Sequence, residues 1–517
     1  MNSNRDFESR SRRYRRGKAR RARLASLIAA VTVAVAALAF VIHGNAARLT
    51  VAYTPAPVPS VVPSPTAKPR PWTNAQLSHL RSTLAASFAP ALAGALHWSL
   101  CVMDSSGRVL YAAHARTAVK PASVEKLIVA TTALDLLGAG YRYDTVIAAS
   151  APAGTGTLQG SLWLVGSGDP SLRTTDLDAA ARSLWRSGVR RVEGNVVVDT
   201  SAFRGPEINP HWNPDDANED YQAPTSAASL DDGTVEFDVR GTTPGALAVA
   251  HMHPWSDAIH ASGGVMTVGA TDDPDVVVAA LGTPDAFALS GDVPAGELDR
   301  EWVPVQGAAH YVGAVLTQIL RENGISIGST PGTGVAPQRR VVLWQHRSPS
   351  LRALEHHMLY LSDNHYAEQL MRTLGFVESG AGDDVHGLAV ERDDLQERAI
   401  PMPGLHLVDG SGLAEQNRVA ALTLATILVR ALQLPRERGF FDLLPQGGRD
   451  GTLGDYPFSS ALGRVRAKTG HLTGVSALAG YVASRHHGTI VFAFAIDGSP
   501  GDPDGAMVHA VDRISEF

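Results

Sequence analysis

Apolar residues concentrate in short runs at both ends of the chain. Residues 98–104 and 109–114 read as two strands joined by the turn Ser105-Ser106-Gly107, a hairpin pattern. Residues 475–483 and 489–496 form a second such pair around His486-His487-Gly488. Between 122 and 137, Val124, Leu127, Ile128, Leu134 and Leu137 recur at helical spacing, and Gly138 provides a stop. Hairpin, helix, long middle and hairpin predict one α/β domain assembled from the two ends of the chain. The middle, about 145–337, is rich in short β-like runs such as 161–165, 194–199 and 234–240. Within it, 245–296 contains no Lys or Arg and reads as a nested unit. Segments 308–323 and 351–361 carry amphipathic helical periodicity, and 417–434 reads as a capped helix ending at Pro435.

The N-terminal region has a different pattern. The first 23 residues hold ten cations against Asp6 and Glu8, a net +8 within a chain whose total is −6, so everything downstream carries −14. From Leu24 to Ile42 no charge interrupts nineteen residues, which as a helix would span about 28 Å, close to the hydrocarbon thickness of a bilayer. Arginines before the span predict a cytoplasmic N-terminus and an extracytoplasmic remainder. A cleaved signal peptide, with Gly44-Asn45-Ala46 as the processing site, is the alternative. Pro55, Pro57, Pro59, Pro63, Pro65, Pro69 and Pro71 follow as a semi-rigid spacer. The acidic remainder excludes nucleic acid as the main ligand. Cys101, the single cysteine, excludes an intrachain disulfide and is expected to be buried and inert.

Cation usage is lopsided, with five lysines against forty arginines. Arginine stays charged, whereas a buried lysine can lose its proton and act as a base. Lys126 falls in Ser123-Val124-Glu125-Lys126 and Lys468 in Lys468-Thr469-Gly470; Lys18, Lys68 and Lys120 gain no comparable role. Three residues apart on a helix, Ser123 and Lys126 share a face, and a desolvated lysine can deprotonate a serine hydroxyl. Ser362-Asp363-Asn364 offers a second hydroxyl to relay a proton and an amide to hold a substrate carbonyl. Lys468-Thr469-Gly470 offers a charge, a hydroxyl donor and a glycine that lets a ligand approach an edge strand. Each motif by itself also fits an ordinary turn or cap. His356, His357 and His365 show no zinc spacing and are expected to face solvent, so neither a metal nor a cofactor is expected.

The three motifs in this order are the signature of penicillin-binding proteins and class A β-lactamases. More than two hundred residues separate Lys126 from Ser362, and no counterpart of a deacylating glutamate loop follows Asn364. The chain therefore resembles the low-molecular-mass class C penicillin-binding proteins, the D-alanyl-D-alanine carboxypeptidase/endopeptidase family. Supporting stretches are Pro121-Ala122-Ser123, residues 166–172, residues 223–227, Asp409-Gly410-Ser411-Gly412-Leu413 and Asp450-Gly451-Thr452-Leu453.

The resemblance implies an α/β (α+β) fold: a transpeptidase/β-lactamase-like domain, with an antiparallel sheet flanked by helices, interrupted by a large β-rich insertion. The expected organisation is a basic tail (1–23), a membrane anchor (24–43), a Pro-rich linker (44–74), a peptidase domain (75–150 and 336–517) and the insertion (151–335), with a nested part at about 235–300. The resemblance makes Ser123 the acylated nucleophile, Lys126 its base, Ser362 a proton shuttle, Asn364 a substrate-amide contact and Lys468 part of the electrostatic setting. It assigns Thr469 to the substrate's terminal carboxylate, counts Gly470 and His471 with it as substrate-binding residues, and gives the backbone amides of Ser123 and His471 to the oxyanion hole. His471 departs from the family pattern, which places threonine or serine there, and puts the carboxylate contact in question. The implied activity is cleavage of D-alanyl bonds in peptidoglycan peptides, with β-lactams as acylating inhibitors. Two alternatives keep the fold: a non-catalytic cell-wall or division scaffold, and a β-lactamase.

Overall fold

The computed structural model describes residues 69–517 apart from 270–272, 284–285 and 438. The basic tail, the apolar span 24–42 and the proline-rich stretch up to Lys68 lie outside the described residues. Among the described residues no helix is long and apolar enough to cross a membrane.

Thr73 opens the first helix, Asn74–Leu92, where its hydroxyl accepts the Gln76 N–H at 3.2 Å and the Gln76 side chain accepts the Thr73 N–H at 3.1 Å. This reciprocal cap fixes the helix start. Leu77, Leu80, Leu84 and Phe88 then form one buried stripe. The stripe packs on a five-stranded antiparallel sheet built from both ends of the chain. Its order is Val109–Ala113, His97–Asp104, Thr489–Asp497, Val475–Ala483 and Val465–Leu472.

Both faces of this sheet are covered, which explains why its strands read as unbroken apolar runs. Successive side chains point to opposite faces. Leu100, Val102, Phe492, Phe494 and Ile496 meet the first helix and the last one, Pro503–Glu516. Cys101, Met103, Ala477, Ala479, Ala493 and Ala495 meet the Lys126–Leu136 and Ala421–Gln433 helices on the other side. The small alanines on that face let these helices approach closely, and they carry the site residue Lys126. Cys101 is buried, and desolvation pushes its thiol up to about 12.

The chain leaves this layer through strand Asp144–Ala149 and returns through its antiparallel neighbour Val341–Arg347. Adjacent outgoing and returning strands allow a long excursion without separating the two halves of the terminal sheet. The excursion continues their sheet with Leu162–Val165, Val196–Asp199 and Gly332–Thr333. Helices Thr174–Arg186 and Ala308–Glu322 contribute to its apolar core, the first of them absent from the sequence reading. Strand Thr234–Arg240 pairs on either side with Val249–His253 and Leu298–Pro304, and 260–294 adds a four-stranded sheet.

Two sequence expectations need correction. Ser123 does not sit in the first turn of a regular α-helix: Ala122–Glu125 is a 3-10 turn, entered through a left-handed Ala122 (φ 48°), and the α-helix begins at Lys126. Asn417 does not cap the helix that follows it, which runs Ala421–Gln433. Its side chain instead closes the preceding loop, donating to Asp409 at 2.8 Å and accepting the Val408 N–H at 2.8 Å.

Candidate active site

Lys126 is fully buried at the point where the 3-10 turn passes into the α-helix. Its Nζ lies 2.9 Å from Ser123 Oγ, 2.6 Å from Asn364 Oδ1 and 2.8 Å from the Ser411 carbonyl oxygen. Burial is the main force on its proton and pushes the ammonium down to about 8, against the opposing pull of Asp409, Glu368, Asp363 and Glu125. The downward shift raises the share of free amine near neutral pH. At pH 7 about one molecule in ten then holds a free amine, whereas at the ordinary lysine value the fraction is below about one in a thousand. Ser123 is half-buried, so its hydroxyl can meet both the lysine and a ligand.

The second motif is placed by a helix break. Ser362 takes the left-handed conformation (φ 63°) that ends helix Leu351–Leu361, and Asp363 opens helix Asn364–Ser379 by accepting the Tyr366 N–H at 3.2 Å. The sharp corner projects Ser362 and Asn364 toward the two lysines. Asn364 gives its oxygen to Lys126 and donates Nδ2 to the Tyr221 carbonyl at 3.0 Å, which fixes its amide orientation. Lys468, on the edge strand, donates to Ser362 Oγ at 2.8 Å and to the Thr469 carbonyl at 2.7 Å. Burial, with Lys126 nearby, holds its ammonium well below the usual lysine range.

The third motif closes the site by backbone proximity. A Cβ on Gly470 would fall 2.8 Å from the Pro121 oxygen and 3.1 Å from the Ser123 nitrogen, so only glycine lets the edge strand lie this close to the serine turn. Thr469 is buried. Period-2 alternation places Thr469 and His471 on one face of the strand, with Lys468 and Gly470 on the other. The His471 ring is held from outside the motif: Nε2 lies 3.1 Å and 3.2 Å from the two oxygens of Asp504 and 3.2 Å from the Tyr456 hydroxyl. The imidazole holds the Asp504 carboxyl below its usual range, against the upward push of burial.

Of the eight sequence-predicted residues, the structure joins Lys126 to Ser123 and Asn364, and Lys468 to Ser362, by side-chain hydrogen bonds, and brings Gly470 against the serine turn by backbone approach. The Thr469 and His471 side chains lie on the other face of the strand, His471 against Asp504 and Tyr456. Sequence reasoning missed Tyr221 and Ser411, which act through backbone carbonyls, and Glu368, Asp409, Tyr456 and Asp504. Asp409 and Ser411 stood inside a stretch already noted, but nothing in the sequence indicates that a carbonyl there reaches Lys126. Lys120 pairs with Glu415 at 3.2 Å. The histidines need correction: His365 is buried with Nε2 2.9 Å from Ser229 Oγ, and His356 and His357 stack on Tyr360 and Tyr366. Asp232, His357 and Asp363 bring ligand atoms within 4.8 Å of one another, but Asp232 is already paired with Arg173 at 2.7 Å.

Fold and site together define a hydrolase with a serine beside a desolvated lysine. The D-Ala-D-Ala carboxypeptidase 3 (S13) family matches residues 80–515. The D-alanyl-D-alanine carboxypeptidase of Actinomadura sp. (strain R39) is 32% identical over 466 residues, covering 86% of each chain. Carboxypeptidase DacB of Mycolicibacterium smegmatis is 29% identical over 519 residues, covering 94% of this chain and 95% of that one. The crystal structure of penicillin binding protein 4 from Haemophilus influenzae superposes with a TM-score of 0.73 at 23% identity, covering 84% of this chain and 99% of its own. The chain belongs to the D-Ala-D-Ala carboxypeptidase 3 (S13) family, and is a serine-type D-Ala-D-Ala carboxypeptidase of the low-molecular-mass class C penicillin-binding type.

Proposed function

We propose that the protein hydrolyses the D-alanyl-D-alanine bond of peptidoglycan peptides, and D-alanyl cross-links of the same chemistry, through an acyl-enzyme on Ser123. The observation that carries this reading is the 2.9 Å contact between Ser123 Oγ and the fully buried Lys126, whose ammonium burial pushes below the usual lysine range. In its amine form Lys126 takes the serine proton as Oγ attacks the D-alanyl carbonyl carbon. The developing oxyanion meets the backbone N–H groups of Ser123 and His471, held together by the close approach of Gly470. Ser362 passes its proton to the leaving amine and takes one in return from Lys468, which donates to its Oγ. Asn364 aligns the substrate amide and Thr469 meets the terminal carboxylate. Water then releases the acyl group.

β-Lactams present the same carbonyl without a leaving group that can diffuse away, so they acylate Ser123 and stay. We read residues 24–43 as an anchor that leaves the catalytic part extracytoplasmic, on the strength of the charge-free span behind a basic tail. The terminal sheet and its helices form the peptidase domain. The segment from about 151 to 335 forms the insertion, whose apolar residues pack in one core with Ile147 and Ala149 of the outgoing strand. The test is intact-mass spectrometry of residues 69–517 with penicillin. A covalent adduct that maps to Ser123 and vanishes in Ser123→Ala is expected; a wild-type protein without adduct would overturn the assignment.

A further inference from the structure

Lys126 has a third partner besides Ser123 and Asn364, the Ser411 carbonyl, and the loop that presents it is held by two buried acids. Asp409 accepts the Gly412 N–H at 2.8 Å. That N–H and the Ser411 carbonyl belong to one peptide group and point in opposite directions, so holding the first at Asp409 aims the second at Lys126. Asp409 is fixed in turn by the Ala414 N–H, the Asn417 amide and the Trp212 indole N–H. Glu368 clasps the preceding turn. Its Oε1 accepts the Ser411 N–H at 2.8 Å and the Gly410 N–H at 3.1 Å.

Glu368 lies one helical turn beyond Asn364 on the same helix. One rigid element therefore holds Lys126 twice, directly through Asn364 and indirectly through the clasped turn. A buried carboxyl is costly where an apolar side chain would pack, so its retention calls for a reason. Burial beside Asp409 pushes the Glu368 carboxyl up to about 8, and either protonation state keeps an oxygen that can accept the two N–H groups.

We infer that Glu368 is a positioning residue for the acylation step: by clasping Gly410 and Ser411 it sets the carbonyl that holds Lys126 Nζ in line with Ser123. This rests on the reading of Lys126 as the base. The clasp requires an accepting oxygen at the right distance and does not require a charge. Glu368→Gln is therefore expected to acylate within about threefold of wild type, while Glu368→Ala lets the turn and Nζ drift, with a loss on the order of 10–100-fold.

The measurement is the penicillin acylation rate constant, resolved from the dissociation constant of the non-covalent complex, with thermal melting as the check on folding. The loss is expected in the rate constant, with the dissociation constant unchanged. A folded Glu368→Ala that acylates at the wild-type rate, a loss confined to the dissociation constant, or a Glu368→Gln as slow as Glu368→Ala would each overturn the inference. If Glu368→Ala does not fold, Glu368→Asp decides. It keeps the carboxylate but withdraws it by one methylene, and acylation at the wild-type rate would sink the clasp. Lys126→Ala run alongside separates the two readings, because wild-type acylation there would refute the base itself, whatever the Glu368 series shows.

Discussion

His471 Nε2 sits 3.1 Å from Asp504 Oδ1, which ties the edge strand of the site to the C-terminal helix. The pair stands one strand position past Gly470, on the same face as Thr469. In the proposed binding mode a substrate's terminal carboxylate arrives beside a carboxylate the protein already holds.

Asp504→Asn removes that negative charge. KM for a peptide ending in a free D-Ala carboxylate should fall by roughly two- to fivefold, and KM for its C-terminal amide should not, since partly exposed charges interact modestly. Steady-state kinetics on the two peptides provide the comparison. Equal changes for both would show that Asp504 does not sense the carboxylate.

Acylation should accelerate as pH rises. Lys126 works as a base only when deprotonated, and burial lowers its ammonium to about 8. The rate constant for acylation by penicillin should therefore climb tenfold per pH unit below that value and level off above it. A profile flat from pH 6 to 9 would remove Lys126 from the role.

Lysine at the two motif positions should resist replacement by arginine for different reasons. Lys126→Arg keeps a cation that cannot lose its proton, so acylation should drop by about 10³-fold or more. Charge alone would let arginine serve at 468. However, Lys468 is fully buried with Nζ spent on Ser362 and the Thr469 carbonyl, and a larger guanidinium overpacks that space. Lys468→Arg should lose activity and about 1–3 kcal/mol of stability together, measured by acylation and by denaturant unfolding. Wild-type stability with full acylation would refute the packing argument.

Gly470→Ala isolates the close approach of strand and turn. Its new Cβ would meet the Pro121 oxygen at 2.8 Å and Ala122 Cβ at 3.1 Å. The strand must retreat by some tenths of an ångström, carrying the His471 N–H away from the oxyanion. A decrease of roughly 10–100-fold in acylation with a folded protein is expected; unchanged kinetics would argue that the strand is not part of the oxyanion site.

The sequence predicted the two hairpins well because strands covered on both faces, such as His97–Asp104 and Thr489–Asp497, leave dense apolar runs with turn residues between them. It also located helix Leu351–Leu361, whose amphipathic face is a local property. It misjudged Asn417, whose favoured use as a cap gave way to loop closure against Asp409, a partner that local pattern cannot foresee. It misjudged His365 in the same way, because the residue is buried against a segment distant in the chain, where it meets Ser229.

By itself the sequence determined which functional groups are present and in what order: Ser123 with Lys126, Ser362 with Asn364, and Lys468 with Thr469 and Gly470. Those identities are covalent and need no fold to be read. Only the tertiary structure decided that Lys126 is shared among Ser123, Asn364 and the Ser411 carbonyl, that Glu368 clasps the turn behind it, and that Asp504 takes His471. The reason is physical: desolvation and hydrogen-bond partnership depend on which distant segments are packed around a group, and these set whether a lysine is a charge or a base.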